Sequence, residues 1–325
     1  MKDARLSLER IEEAARTIDP VFTNTPQFEV ESLNNFLSLR LVCKIELCNP
    51  IRSFKGRGAD YFVQRLENRS AKLVCASAGN FGQGLAFSAR KHNLKLTVFA
   101  AKTANQLKLE KMKQLGADVR LEGEDFDAAK QAARIFAAEQ GSLFVEDGLE
   151  SAISEGAGTI GLELSRLPET LDVVLVPLGN GALINGIGRW MKAQSPSTQI
   201  IGVCAEGAPA MERSWRAQSV VETEGVNTIA DGIGVRVPVV QALEDMQRVV
   251  DDVVLVEDSV ILQAMNLLFS GLGLIVEPAG AVGVAAALRY KERFAGVRVA
   301  TPLCGGNVTT EQMREWFSIL RLQRG

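Results

Sequence analysis

"DVVLVPLGNGALINGIG", residues 172–188, runs an apolar stretch, Val173–Val176, into a glycine turn at Gly179-Asn180-Gly181 and then into a helical pattern over Ile184–Lys192. A strand, a tight turn and a helix in that order make the βα unit of an open, mostly parallel sheet. The rhythm repeats along the chain. Candidate strands are Leu73–Ala76, Leu94–Ala100, Leu143–Val145, Ile200–Ala205, Val253–Val256 and Val297–Thr301. Candidate helices are Gly82–Lys91, Asn105–Leu115, Asp125–Gln140, Ser259–Phe269 and Ala279–Tyr290. The pattern predicts an α/β protein in which residues 72–147 form a small domain and residues 1–71 with 148–325 a large one. Glycine-rich turns follow three of the strands: "SAGNFGQG" at 77–84, "PLGNGALINGIG" at 177–188 and "PLCGGN" at 302–307. Ligands of such sheets sit at the carboxyl ends of the strands, where glycine lets backbone amides approach an anion. Three such turns on one rim outline a site.

Bulk properties narrow what that site can bind. Of 325 residues, 46% are hydrophobic and 23% charged, as in an ordinary globular protein, and the net charge of −3 lacks the basic excess that nucleic acid or an anionic membrane requires. Small-molecule chemistry is the remaining expectation. Five scattered cysteines, none in a CxxC pair, read as reduced thiols of a cytoplasmic protein. The N-terminal "MKDARLSLERIEEAAR" is charged and helical in period, unlike a signal peptide. The apolar run Leu267–Leu288 is broken by Glu277-Pro278 and by glycines, and so predicts two helices rather than a membrane span.

The motifs carry competing readings. Gly179, Asn180, Gly181, Ala182 and Leu183 offer successive amides at a helix start, a cradle for phosphate. A dinucleotide fingerprint, with Glu206 on the ribose, lacks its third glycine because Ile184 stands there. A plain βα turn is the third reading. In "SAGNFGQG", Ser77, the amides from Ala78 through Gly79 and Asn80 to Phe81, and the Asn80 side chain suit a carboxylate, or else simply cap a helix. In "IRSFKGRGAD", residues 51–60, Lys55 lies between Phe54 and a Gly56-Arg57-Gly58 turn, with Arg52 and Arg57 on either side. A lone lysine is most often solvated. Burial beside positive charge instead favours the neutral, nucleophilic amine that can form a Schiff base. The single histidine, His92, sits at a helix tail, so triads and histidine-based zinc sites lack a part. The acids Glu122, Glu124, Asp125 and Asp127 read as a helix-start cluster rather than a glycosidase pair.

Taken in order, "SFKGRGA", "SAGNFGQG", "PLGNGALINGIG", "EPAGA" from Glu277 and "LCGGN" from Leu303 resemble the serine/threonine dehydratase group of fold-type II pyridoxal-phosphate enzymes, and the likeness begins at "NTPQFEVESL" near the N-terminus. The resemblance implies two open, twisted, mostly parallel sheets with flanking helices. It implies that Lys55 carries pyridoxal 5′-phosphate as an imine with Phe54 beside it, that residues 179–183 hold the phosphate, and that Asn80 meets the ring hydroxyl. It also places Glu277 among the cofactor-binding residues and Cys304 at the pyridine nitrogen, while Ser77 and the amides of 78–81 grip the substrate carboxylate.

This chain departs from the group's pattern at Asn180, Ala182, Phe81 and Cys304. Ala78 stands where related racemases have a proton-delivering serine, which disfavours racemisation. Glu206 is the one carboxylate placed near the group's cation segment, and no metal is expected. The length leaves no room for the regulatory domain of the long biosynthetic threonine enzymes. The implied activity is β-elimination of threonine, serine or a phenylserine-type substrate to a 2-oxo acid and ammonia, in a possible homodimer. A racemase, a β-replacement enzyme, a non-catalytic amino-acid-binding module and an NAD-binding oxidoreductase are the alternatives. Trp215 and Phe81 hint at room for a larger side chain.

Overall fold

The computed structural model of the chain describes residues 4–104 and 106–322. Its strands are β1 (Gln27–Glu29), β2 (Arg40–Ile45), β3 (Lys72–Ala76), β4 (Lys95–Ala100), β5 (Asp118–Leu121), β6 (Leu143–Phe144), β7 (Val173–Pro177), β8 (Gln199–Ala205), β9 (Asp252–Val256) and β10 (Arg298–Leu303). They form a six-stranded sheet in the order β1-β2-β10-β7-β8-β9 and a four-stranded sheet in the order β5-β4-β3-β6. Only the β1–β2 pair is antiparallel. The α/β architecture with two mostly parallel open sheets is therefore as expected.

The large sheet is covered on both faces. Val173 and Leu175 of β7 enter one core with Leu268 and Val282 of the helices Asp258–Leu272 and Pro278–Arg289. Val174 and Val176 enter another, with Ile160 of the helix Ser151–Leu164 and Ile187 of the helix Ala182–Gln194. Double burial explains why β7 reads as an unbroken apolar run. In the small sheet, Leu73, Cys75 and Val98 pack with Phe81 and Leu85 on one face, and Val74 and Phe99 with Ala133 and Ala137 on the other.

Each helix and strand read from the pattern is present, with ends shifted by a few residues; Asn105, the first residue of the helix expected there, lies outside the described residues. The run Leu267–Leu288 divides at Glu277 into two helices as expected, and among the described residues no helix is long and apolar enough to cross a membrane.

Three strands escaped the sequence reading. β1 and β5 are short edge strands, while β2 is buried but interrupted in pattern by Lys44. Lys44 is tolerated because its ammonium donates to the Thr25 carbonyl oxygen at 2.7 Å and to Glu163 at 2.5 Å.

The expected Gly56-Arg57-Gly58 turn is a correction: these residues form the first turn of a helix, Lys55–Gln64. Its glycines make room for protein, not ligand. A Cβ on Gly56 would lie 2.3 Å from the Phe22 ring, and one on Gly58 would lie 2.5 Å from the Ile153 carbonyl oxygen. The helix thereby docks against Ser151–Leu164. Arg57 is fully buried and forks between two carboxylates, meeting Glu46 at 2.8 and 2.9 Å and Glu163 at 2.7 and 2.9 Å, with Thr159 at 2.8 Å. Its charge is spent there, and Arg52 is exposed. The expected flanking of Lys55 by two free cations is thus absent.

Candidate active site

The carboxyl ends of β7 and β10, neighbours in the large sheet, face a cleft of about 530 Å³ that also takes residues from the end of β3. β7 continues to β8 on one side while β10 lies against β2 on the other, which is the switch-point geometry where open sheets bind ligands.

After β7 the chain turns through Gly181, the left-handed cap (φ 89°) of the helix Ala182–Gln194, which has no side-chain cap. The amides from Gly179 through Asn180, Gly181, Ala182 and Leu183 to Ile184 donate to no protein acceptor among the described residues. Successive unpaired amides at a helix N-terminus form an anion cradle. The turn is braced from outside by Gly148 (φ +88°), where a Cβ would lie 2.4 Å from the Asn180 carbonyl oxygen.

Lys55 opens its helix on the cleft wall. Its Nζ lies 4.7 Å from the centre of the Phe54 ring and donates to Asp147 Oδ2 at 2.5 Å. The side chains of Lys55 and Asp147 are 14% and 9% exposed, so the pair is largely withdrawn from water.

The turn after β3 is arranged for a second anion. The Ser77 hydroxyl oxygen accepts from the Gly79 amide at 3.2 Å and the Gly82 amide at 3.0 Å, leaving its O–H to donate outward. The amides of Ala78, Asn80 and Phe81 have no protein acceptor among the described residues. Gly79, expected with them, has its amide engaged by Ser77.

Asn80 links this turn to the other rim. Its Nδ2 donates to Glu277 Oε1 at 2.6 Å and its Oδ1 accepts from Asn307 Nδ2 at 2.8 Å, while Glu277 Oε2 takes the Asn307 amide at 3.0 Å. Burial pushes the Glu277 carboxyl above the ordinary range, against the pull of Lys108. Cys304, one residue beyond β10, points its thiol at the Ala279 carbonyl oxygen, 3.8 Å away. Burial, reinforced by the negative charge of Glu277, pushes that thiol far up, so it stays neutral.

Every expected site residue from Phe54 to Cys304 thus lines one cleft, Glu206 excepted. Glu206 is exposed beyond β8 and lies outside the lining of this cleft. Among the described residues no group of three His, Cys, Asp or Glu side chains could hold a metal. Trp215 packs against the core and does not reach the cleft, whereas Phe81 does.

Sequence reasoning missed Asp147, and it missed the ion pairs Asp127–Arg236, Asp231–Lys108 and Glu146–Lys130 around the cleft. Asp125 caps the helix Phe126–Glu139, accepting the Ala128 amide at 2.8 Å, which explains the acidic cluster as a helix start, though Asp127 also lines the cleft. No local pattern marks Asp147; its position next to Gly148 was the only available signal.

This geometry has known counterparts. The chain is 34% identical over 319 residues to a biosynthetic L-threonine dehydratase of Lactococcus lactis, an alignment covering 95% of this chain and 77% of that one. The processed form of threonine deaminase isoform 2 from Solanum lycopersicum superposes with a TM-score of 0.89 at 28% identity, covering 97% of this chain and 90% of that one. Maize serine racemase superposes equally, with a TM-score of 0.89 at 27% identity over 98% and 99% of the two chains. Residues 18–305 match the family described as pyridoxal-phosphate dependent enzyme, and the chain belongs to that family, in its fold-type II architecture.

Proposed function

We propose that this chain dehydrates and deaminates a β-hydroxy-α-amino acid, L-threonine or L-serine, to a 2-oxo acid and ammonia. The observation that carries the reading is one cleft presenting a withdrawn lysine amine, six unpaired amides at a helix start, and a neutral thiol rather than an acid. These residues fit pyridoxal phosphate: the amides of 179–184 match its phosphate, Lys55 its aldehyde, Asn80 its ring hydroxyl and Cys304 its ring nitrogen. Bound there, the cofactor supplies an electron sink that acidifies the substrate's α-hydrogen.

The protein's own part follows from its donors and acceptors. Ser77 and the amides of Ala78, Asn80 and Phe81 hold the substrate carboxylate. Lys55 Nζ carries the proton at the α-carbon. Glu277 and Asn307 fix the Asn80 amide. A neutral thiol at Cys304 contributes no formal charge, which favours departure of a β-substituent over reprotonation at the α-carbon. Ala78 has no hydroxyl to deliver a proton to the opposite face, which supports elimination over the racemisation named for the maize relative. The division into residues 72–147 and the remainder is part of this reading, supported by the four strands of the small sheet all falling within it. Five free cysteines support a reducing, cytoplasmic setting.

The test is release of 2-oxo acid and ammonia from L-threonine and L-serine. Lys55→Ala abolishes release and the visible band that borohydride fixes to the peptide bearing Lys55. A variant turning over at the parental rate, or a parent that accumulates D-amino acid without ammonia, refutes the assignment.

A further inference from the structure

Around the cleft, acidic side chains are compensated by partners of their own. Glu146 takes Lys130 and Arg134, Asp127 takes Arg236, Asp231 takes Lys108, and Glu277 takes Asn80 and the Asn307 amide. Asp147 differs. Its Oδ2 takes only Lys55, and its Oδ1 is buried without any hydrogen-bond partner among the described residues. A buried carboxylate oxygen without a donor is costly, and a carboxylate can only accept. Asp147 Oδ1 is therefore an acceptor, beside the Lys55 amine, that no protein donor among the described residues reaches.

A substrate brings a donor within reach. In the proposed reaction its amine takes over the position of the lysine amine, and its β-heteroatom is three bonds from that nitrogen, about 3–4 Å away at bond lengths near 1.5 Å. With a carboxylate oxygen 2.5 Å from Lys55 Nζ, rotation about the Cα–Cβ bond can bring a group on the β-carbon into hydrogen-bond range of Asp147. Gly148, pressed against the Asn180 carbonyl oxygen at a positive φ, limits how far the Asp147 backbone can withdraw.

We propose that Asp147 is the residue that selects the substrate's β-substituent: it accepts a hydrogen bond from a donor there, hydroxyl or ammonium, and rejects a carboxylate at the same position. The inference rests on the cofactor reading above and goes beyond it by assigning side-chain selectivity to a residue outside the motifs.

L-Asparagine and L-aspartate are near-isosteric and differ in donor and charge in the group carried on the β-carbon, one bond further from the amine than a β-hydroxyl. Their affinities for the cofactor-loaded protein are read from the change in the visible band, without turnover. The parent is expected to bind L-asparagine about tenfold or more tighter than L-aspartate, and Asp147→Asn to bring the two within about twofold, with L-alanine affinity unchanged. In turnover, L-serine and L-2,3-diaminopropionate distinguish hydroxyl from ammonium as the preferred donor; Asp147→Asn lowers kcat/KM about tenfold or more for the preferred one. Equal parental affinities, or a ratio unchanged by Asp147→Asn, overturns the proposal even if Lys55 holds the cofactor. A parent with no visible band overturns the cofactor reading, and the proposal with it.

Discussion

Replacing Arg57 by Met tests whether the buried charge cluster is what seats the lysine helix. The guanidinium is fully buried and answers both oxygens of Glu46 and of Glu163. Methionine fills much of the volume but supplies no donor, leaving two carboxylates to share Lys44. Removing one partner of a buried pair costs about 3–5 kcal/mol, against a total stability of about 5–15 kcal/mol for an ordinary domain. Urea unfolding followed by far-UV circular dichroism should show a loss in that range. Arg57→Met combined with Glu163→Gln should recover part of it, because one orphaned charge is removed. A loss under about 1 kcal/mol, or a double variant whose losses simply add, refutes the reasoning.

Acid sensitivity should come from the same cluster. Burial alone would raise the Glu163 carboxyl, but Arg57 and Lys44 outweigh it and hold it at about 2, against an ordinary 4.5. Because the folded value is the lower one, the unfolded chain takes the proton first as pH falls. The contribution, about 3 kcal/mol, is complete above roughly pH 4.5 and disappears on the way to pH 2. Glu163→Gln should flatten that limb of the stability profile; an unaltered limb contradicts the account. Gly148→Ala introduces a Cβ that meets the Asn180 carbonyl oxygen at 2.4 Å with a backbone at φ +88°. Strain of about 1–3 kcal/mol passed to the amide cradle should weaken pyridoxal-phosphate affinity about fivefold or more, measured by absorbance titration; parental affinity rules this out.

What the sequence revealed followed chain-local physics. β7 and its turn were readable because apolar run, glycines and helix follow one another within residues 173–194. The lysine was found, but its surroundings were misread: Gly56 and Gly58 resemble a turn locally and are instead contact points for Phe22 and Ile153. Arg57 looked like a neighbour of Lys55 in sequence, yet a helix sends adjacent residues to different faces, so it meets Glu163 instead. β2 was lost to Lys44, whose tolerance depends on a glutamate 119 residues away. Asp147 belongs to the same class, since its partner is 92 residues distant and no spacing rule links them.

The order of the large sheet bears on biosynthesis. β10, last of the strands in the chain, is inserted between β2 and β7, pairing with both. Until it emerges from the ribosome those two strands lack their shared neighbour, and their ladder groups can pair with another chain. A nascent polypeptide stopped short of residue 298 would contain Lys55 and the turn after β7 but also two unpaired strand edges, open to mispairing until β10 is made.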